Sequence, residues 1–500
     1  MGELVAPCEL LLRRGVCAGQ PRIAVGVWFS FDSAPVSAAG CQRKLSAWQR
    51  TCGAGAVLEM RRRTTPPRVP VAPCVGCGEH LRSILRTLSL QALAPRFAAK
   101  DITLAALEQL SEQQLQLLGA GQFGMSAEQA SRFARLVHTR ARPRFDYAIV
   151  FSAGMANVTC FRIPAVVQLG SGRLLALAEA RHGSCEDGAS HEIAARLSDD
   201  GGASWGRLHF VAGGASSWVG NPTAVVTGKR VLLLVSKHAA RCTGNCVSGS
   251  ALYSSDDEGQ SWSGGGELVG ELGEARRARF GPGVALVLRR GAHAGRILAT
   301  ASTGKYTSDF VLHSDDGGAS WRARPPDGIR RIDEAQLTQL PNGSLLLLAR
   351  HTAELVAGKG ASLSTDGGET WGPLRFPWGD SDTCPHCSSA LTGPNCQGSV
   401  TTFGGTSYFS GPNSSHRRAG LTVRRSVDSS VTWDAGTLID PGFGAYSCLV
   451  GAPLARGPGC RTASAGPAAG SRGGGAQCGG VLYEGGGGVI VFVRFPLDAG

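Results

Sequence analysis

From residue 145 onward the chain is punctuated by short apolar runs, each entered from a turn residue such as Gly, Lys or Asn: "RLLALAEA", "RVLLLVS", "RILATAS" and "SLLLLAR". Runs of this length bounded by turns predict buried β-strands, since helices need longer periodic stretches. Residues 79–140 have a different rhythm. In "HLRSILRTLSLQALAPRFAAKDITLAALEQLSEQQLQLLG" Leu and Ile recur at helical spacing. Thr103 and Ser111 each precede a helical run, and Ser111 followed by Gln114 makes a capping-box pattern. Gly119, Gly121 and Gly124 then interrupt the chain before "SAEQASRFARLVHTR", a last amphipathic helix. Residues 79–140 therefore predict a small helical bundle. Residues 1–78 are rich in Arg, Pro, Cys and small residues without a steady period, and predict a poorly defined N-terminal segment.

The strand region carries a repeat. "SDDGGASW" occurs at Ser198–Trp205 and again at Ser314–Trp321. The looser pattern Ser-x-Asp-x-Gly-x-x-Trp adds Ser255-Asp257-Gly259-Trp262 and Ser364-Asp366-Gly368-Trp371. A fifth copy keeps Ser426, Asp428 and Trp433 but has Ser430 where Gly is expected. The residue types are those of a hairpin turn. Ser and Asp side chains bond the turn backbone, Gly supplies positive φ, and Trp packs beneath. The copies lie about fifty to sixty residues apart, the size of a four-stranded propeller blade. The predicted fold class is mainly β: a six-bladed β-propeller over residues 145–500, preceded by the small α-helical domain. The repeats build blades, and no chemistry resides in them.

Composition narrows the partners. The formal charge is +12, which suits an anionic partner. No long Lys/Arg block is present; Arg61–Arg63 is followed by Thr-Thr-Pro-Pro and reads as a linker, so no nucleic-acid partner is expected. Sixteen Cys fall at irregular spacing. Cys384-Pro-His-Cys387 and Cys242-Thr-Gly-Asn-Cys246 lack partner pairs, so local disulfides or plain thiols are expected rather than zinc. The N-terminus has no clean signal peptide, and no apolar run reaches membrane-spanning length. Asn157-Val-Thr, Asn342-Gly-Ser and Asn413-Ser-Ser are glycosylation sequons of a kind common by chance.

A propeller gathers the residues of its inner strands around one axis, so charges set in apolar strands are candidates for a site. Arg162 opens the run in "CFRIPAVV", Arg350 closes "LLLLAR", and Arg418 in "HRRAGLTV" stands before another strand. Three guanidinium forks at matching ends of separate blades would make a carboxylate-binding cluster.

These residues carry a family resemblance. Phe161-Arg162-Ile163-Pro164 matches the sialidase FRIP motif and the repeats match its Asp boxes, a box also found in non-enzymatic propellers. "DEAQLTQLPNGSLLLLAR", "PNCQGSV", "AYSCL" and "VLYE" are similar to further sialidase segments, in order. The likeness covers about residues 145–500 and is closest to lysosomal-type animal sialidases and their bacterial relatives. Separately, residues 79–140 resemble a SAM domain, mostly through "ITLAALEQLSEQQLQLLG", which would imply a protein partner or self-association. The sialidase resemblance leaves the compartment open among lysosomal, secretory and membrane-associated.

Position by position, the resemblance implies that Arg162, Arg350 and Arg418 hold the substrate carboxylate, with Arg417 a rival to Arg418. It makes Glu484 the ion-pair partner that orients Arg162, Tyr446 the nucleophile, and Glu334 the base that activates it. Asp187 would be the acid/base, eleven residues before Ser198; Glu186 and Glu192 are its neighbours. Arg181, in "EARHG", would line the pocket nearby. A neutral tyrosine suits a substrate with a carboxylate on its anomeric carbon, because an anionic nucleophile would be repelled there. With a pKa near 10, it needs a partner base. The implied activity is that of a retaining exo-α-sialidase acting on sialylated glycoproteins, glycolipids or oligosaccharides, with no metal and no cofactor. A catalytically silent propeller that binds sialoglycans, and a trans-sialidase, are the alternatives. The sequence departs from the family at Cys448, in the glycine-less fifth box, and in the low-complexity stretch Gly457–Gly480.

Overall fold

A computed structural model describes most of residues 81–138 and 145–497, together with three strands nearer the N-terminus. Within 145–497, residues 215–216, 240–246, 304–308, 325–331, 352–358, 375–390, 392, 415–416, 455–476 and 487 lie outside the described residues, which removes both the Cys242–Cys246 and the Cys384–Cys387 expectations from view. The chain divides into two compact units, Met1–Val75 and Gly76–Gly500. In the first, the strands Cys8–Arg14, Trp28–Ser30 and Val57–Arg62 form an antiparallel sheet with Cys8–Arg14 in the middle.

The second unit begins with short helical segments: Gln91–Leu93, Ala94–Ala98, Glu112–Leu117, a π-turn at Leu118–Gln122, and Ala127–His138. Ser126 caps the last of these in a reciprocal capping box with Gln129 (Gln129 N to Ser126 Oγ 3.2 Å, Ser126 N to Gln129 Oε1 2.9 Å). The box predicted at Ser111 falls on a residue outside the described set. The helix Glu112–Leu117 sits against the propeller, where Gln114 Nε2 donates to Tyr483 Oη at 3.2 Å and that phenol donates to Asp440 at 2.8 Å. No helix among the described residues is long and apolar enough to cross a membrane.

The propeller has six sheets arranged as blades. Blade one runs Cys160–Gln168, Leu174–His182, Ser190–Ser198, His209–Ala212 from its inner strand outward, and the main strands of each later blade follow the same antiparallel order. Blade six closes the ring. Its strands Ser447–Leu449, Gln477–Gly485 and Val489–Leu497 are completed by Asp146–Phe151, which enters from the other end of the domain. The predicted strands "RLLALAEA", "RVLLLVS", "RILATAS" and "SLLLLAR" are all second strands of blades, buried on both faces, which is why they read as continuous apolar runs.

The repeat forms the turn it predicts. In the first copy Ser198 Oγ donates to Asp200 Oδ1 (2.8 Å) and accepts Gly202 N (2.8 Å), while Asp200 accepts Ser204 N (2.9 Å). Its glycine is required twice. The φ values are +90° at Gly202, +83° at Gly259, +94° at Gly318 and +89° at Gly368. A Cβ there would also press into Phe492, Leu175, Leu232 or Leu298 of the preceding blade. Each box is thus the contact by which one blade seats on the last.

The fifth copy makes the same turn without glycine. Ser430 N donates to Ser426 Oγ at 2.9 Å, and Ser430 takes φ +67° with its hydroxyl buried and without a partner among the described residues. Ser430→Gly is expected to stabilise the protein by about 1 kcal/mol, the left-handed strain relieved less the added unfolded-state freedom. Denaturant titration checks this through a raised midpoint at unchanged slope.

Candidate active site

The inner strands converge on the axis, and their ends bring distant residues together. Arg162 lies on the inner strand of blade one, where the ladder slips between Arg162 and Ala165 and Ile163 takes φ +55°. A β-branched residue is rarely found there. The kink turns Ile163 N toward Glu484 on the second strand of blade six. Glu484 Oε1 accepts both Ile163 N and Arg162 Nε, each at 2.8 Å. The bulge and the carboxylate together aim the guanidinium.

Tyr446 immediately precedes the inner strand of blade six and is 5% exposed. Its hydroxyl donates to Glu334 Oε1 on the inner strand Ile332–Gln339 of blade four and accepts Arg350 Nη1 at 2.8 Å. The same Arg350 nitrogen donates to Glu334 Oε2 at 2.7 Å. Arg162 and Arg418 lie over the Tyr446 ring, their guanidinium carbons 5.5 and 5.4 Å from its centroid. Burial and the Glu334 carboxylate push the Tyr446 phenol well above its usual pKa, against the opposing pull of Arg350 and Arg418. The resting phenol is therefore neutral, with its proton directed at a carboxylate.

Asp187 sits in the loop between the second and third strands of blade one, its side chain 86% exposed. It pairs with Arg181 Nη1 at 2.9 Å and lies 3.9 Å from Arg162 Nη1. Partial desolvation by the surrounding protein and the Glu179 carboxylate push its carboxyl up, but Arg181 and Arg162 outweigh them and hold it below the usual range. A disulfide that the irregular cysteine spacing did not disclose, Cys160–Cys185, ties this loop to the strand of Arg162. Arg181 also donates to Cys185 O at 2.6 Å and to the buried Glu179 through Nε and Nη2 (3.0 and 2.7 Å).

All eight candidates, Arg162, Arg181, Asp187, Glu334, Arg350, Arg418, Tyr446 and Glu484, thus fall into one connected cluster. The rivals stand apart from it. Arg417 and Glu186 are exposed, and Glu192 is buried against His182 Nε2 at 2.9 Å. Among the described residues Arg418 has no carboxylate within ion-pair distance, so one guanidinium of the cluster is left to an anionic ligand. No group of three His, Cys, Asp or Glu among the described residues is placed to hold a metal.

Other residues touching the cluster were not singled out from the sequence, although Asp333 and Asn395 lie within the segments "DEAQLTQLPNGSLLLLAR" and "PNCQGSV". Asp333 lies 3.2 Å from Arg350 Nε, and Asn395 Oδ1 accepts that nitrogen at 2.5 Å. Lys359 is buried with Nζ on Cys396 O, its pKa lowered by desolvation to about 8. Glu179 was legible in retrospect: it is two residues before Arg181 on one strand, hence on the same face.

The chain matches the model of the BNR repeat-like domain over residues 172–453. The chain belongs to the BNR-repeat sialidase family. Among curated relatives of this sialidase-family chain, a sialidase of Micromonospora viridifaciens is 28% identical over 332 residues, 62% of this chain and 50% of its own length. An anhydrosialidase of Macrobdella decora is 30% identical over 226 residues, 41% of this chain and 28% of its own. The chain thus spans half or less of the length of these relatives. Among solved structures, a Hadza microbial sialidase superposes with a TM-score of 0.57 at 21% identity, covering 70% of this chain and 68% of its own, and so shares the propeller fold.

Proposed function

We propose that this chain is a retaining exo-α-sialidase that removes terminal α-linked sialic acids from glycoconjugates. The observation that carries this reading is the Tyr446 hydroxyl, held between Glu334 and Arg350 beneath two further guanidiniums. Arg162, Arg350 and Arg418 bind the substrate carboxylate, which places the anomeric carbon over Tyr446. Asp187 donates a proton to the leaving oxygen while Tyr446 Oη attacks and passes its proton to Glu334. The Asp187 carboxylate then takes a proton from water, which attacks the face the aglycon left and displaces the tyrosine; the tyrosine oxygen recovers its proton from Glu334, and two inversions retain the configuration. Arg181 holds Asp187, and Glu484 holds Arg162.

The direct test is release of 4-methylumbelliferone from its α-sialoside by wild-type protein, with the first-formed sugar followed by NMR. Free sialic acid appearing first as the α-anomer is expected. No release, or first formation of the β-anomer, would overturn the reading. A transferred or anhydro product would keep the nucleophile but reject hydrolysis.

The Asp187 geometry adds a second expectation. Glycosylation needs the protonated acid, and the flanking arginines hold its pKa down, so kcat/KM should fall as pH rises out of the acid range. Asp187→Ala should lose about 10²-fold or more on an alkyl-linked sialoside, within the usual range for general acid catalysis. The loss should be much smaller on the aryl sialoside, whose phenol leaves without help. Equal losses on the two substrates would remove Asp187 from the acid role.

A further inference from the structure

We infer that Gln397 is a positioning residue that sets the place of the Tyr446 nucleophile, an inference that rests on the proposed sialidase reaction. Gln397 is 1% exposed, and its hydrogen bonds among the described residues go to neither the phenol nor a guanidinium. Its amide instead closes a two-bond ring with the backbone of the residue after the nucleophile: Ser447 N donates to Oε1 and Nε2 donates to Ser447 O, both at 3.0 Å. A primary amide can satisfy a peptide N–H and C=O at once, as a neighbouring strand would. Among the described residues no regular strand does so here, because the inner strand of blade six is only Ser447–Leu449 and pairs on its other side with Gln477–Gly485.

The same short segment indexes the cations. Asn395 Oδ1 accepts Arg350 Nε at 2.5 Å, Asn395 O accepts Arg418 Nη2 at 3.4 Å, and Cys396 O accepts Nζ of the buried Lys359. Residues 395–397 therefore bind two of the proposed carboxylate-holding arginines through Asn395 and the backbone of Ser447, next after the nucleophile, through Gln397. Gln397 Nε2 also lies 3.5 Å from Pro282 O, on a separate stretch of chain, so the amide is fixed from a third direction. The segment therefore couples the arginines to the chain that follows Tyr446, alongside Glu484, whose N donates to Tyr446 O at 2.9 Å. Misplacement of a reacting atom by about 1 Å can cost about 10²-fold in rate.

Two variants test this in the full chain. Gln397→Met keeps the volume and removes both hydrogen bonds to Ser447 together with the longer one to Pro282 O. Gln397→Glu keeps the acceptor for Ser447 N and regains a donor to Ser447 O only when protonated. In Gln397→Met, kcat on the aryl sialoside is expected to fall by about tenfold or more while KM stays within about threefold, because the arginines keep the carboxylate and the nucleophile is displaced. In Gln397→Glu, kcat relative to wild type is expected to climb as pH falls, since the protonated side chain restores the ring. The pH trend is a readout that a merely structural role would not produce, and it carries the test if Gln397→Met does not fold. A folded Gln397→Met with wild-type kcat, a loss confined to KM, or a Gln397→Glu ratio flat with pH would each overturn the inference while wild-type activity stands. Wild-type protein without sialoside hydrolysis would instead overturn the sialidase reading, and the inference with it.

Discussion

Tyr446→Phe is expected to reduce kcat on the α-sialoside by about 10³-fold or more, equivalent to about 4 kcal/mol of transition-state stabilisation. The substitution removes one oxygen. The ring keeps its place beneath Arg162 and Arg418, and Glu334 keeps Arg350 at 2.7 Å, so no buried carboxylate loses its cation. Folding and sialoside binding should therefore survive, and KM should change little. Steady-state kinetics beside a thermal melt separate the outcomes. Retained kcat in the variant would mean that another group attacks, or that water does so directly.

Glu334→Gln is expected to lower kcat by about 10²- to 10⁴-fold, the range for losing a general base. Gln preserves the shape, and with its carbonyl toward Arg350 and its amide toward the Tyr446 oxygen both contacts can be filled. The phenol then accepts a hydrogen bond where it formerly donated one, and its proton has no base to go to. With burial already holding the phenol pKa high, the neutral hydroxyl is a weak nucleophile. The double variant with Tyr446→Phe should be scarcely worse than Tyr446→Phe alone, because the base acts only through the phenol. Additive losses would show that Glu334 has a separate role.

The sequence by itself determined the blades. The repeat states its own turn chemistry in four residue types, and the apolar runs between copies have the length and continuity of strands covered on both faces. The fifth copy shows the limit of that legibility. It lacks the expected glycine, yet Ser426 and Asp428 still hold the turn and Ser430 bears the positive φ. The candidate site was legible as a set of residues because the charges of Arg162, Arg350 and Arg418 interrupt apolar strands, and the family motifs supplied their partners.

Only the tertiary structure decided how those residues meet. Glu334 and Tyr446 are 112 residues apart, and Arg162 and Glu484 are 322 apart. Ring closure by Asp146–Phe151 brings the first and last blades into contact, so no local pattern could place Glu484 beside Ile163. The choice of Arg418 over Arg417 likewise depends on which side chain turns inward over Tyr446. The Cys160–Cys185 link and the Gln397 clamp are beyond sequence reading for the same physical reason. A disulfide or an amide ring depends on the distance between two chain segments in space, and residue types constrain that distance only after the blades have closed.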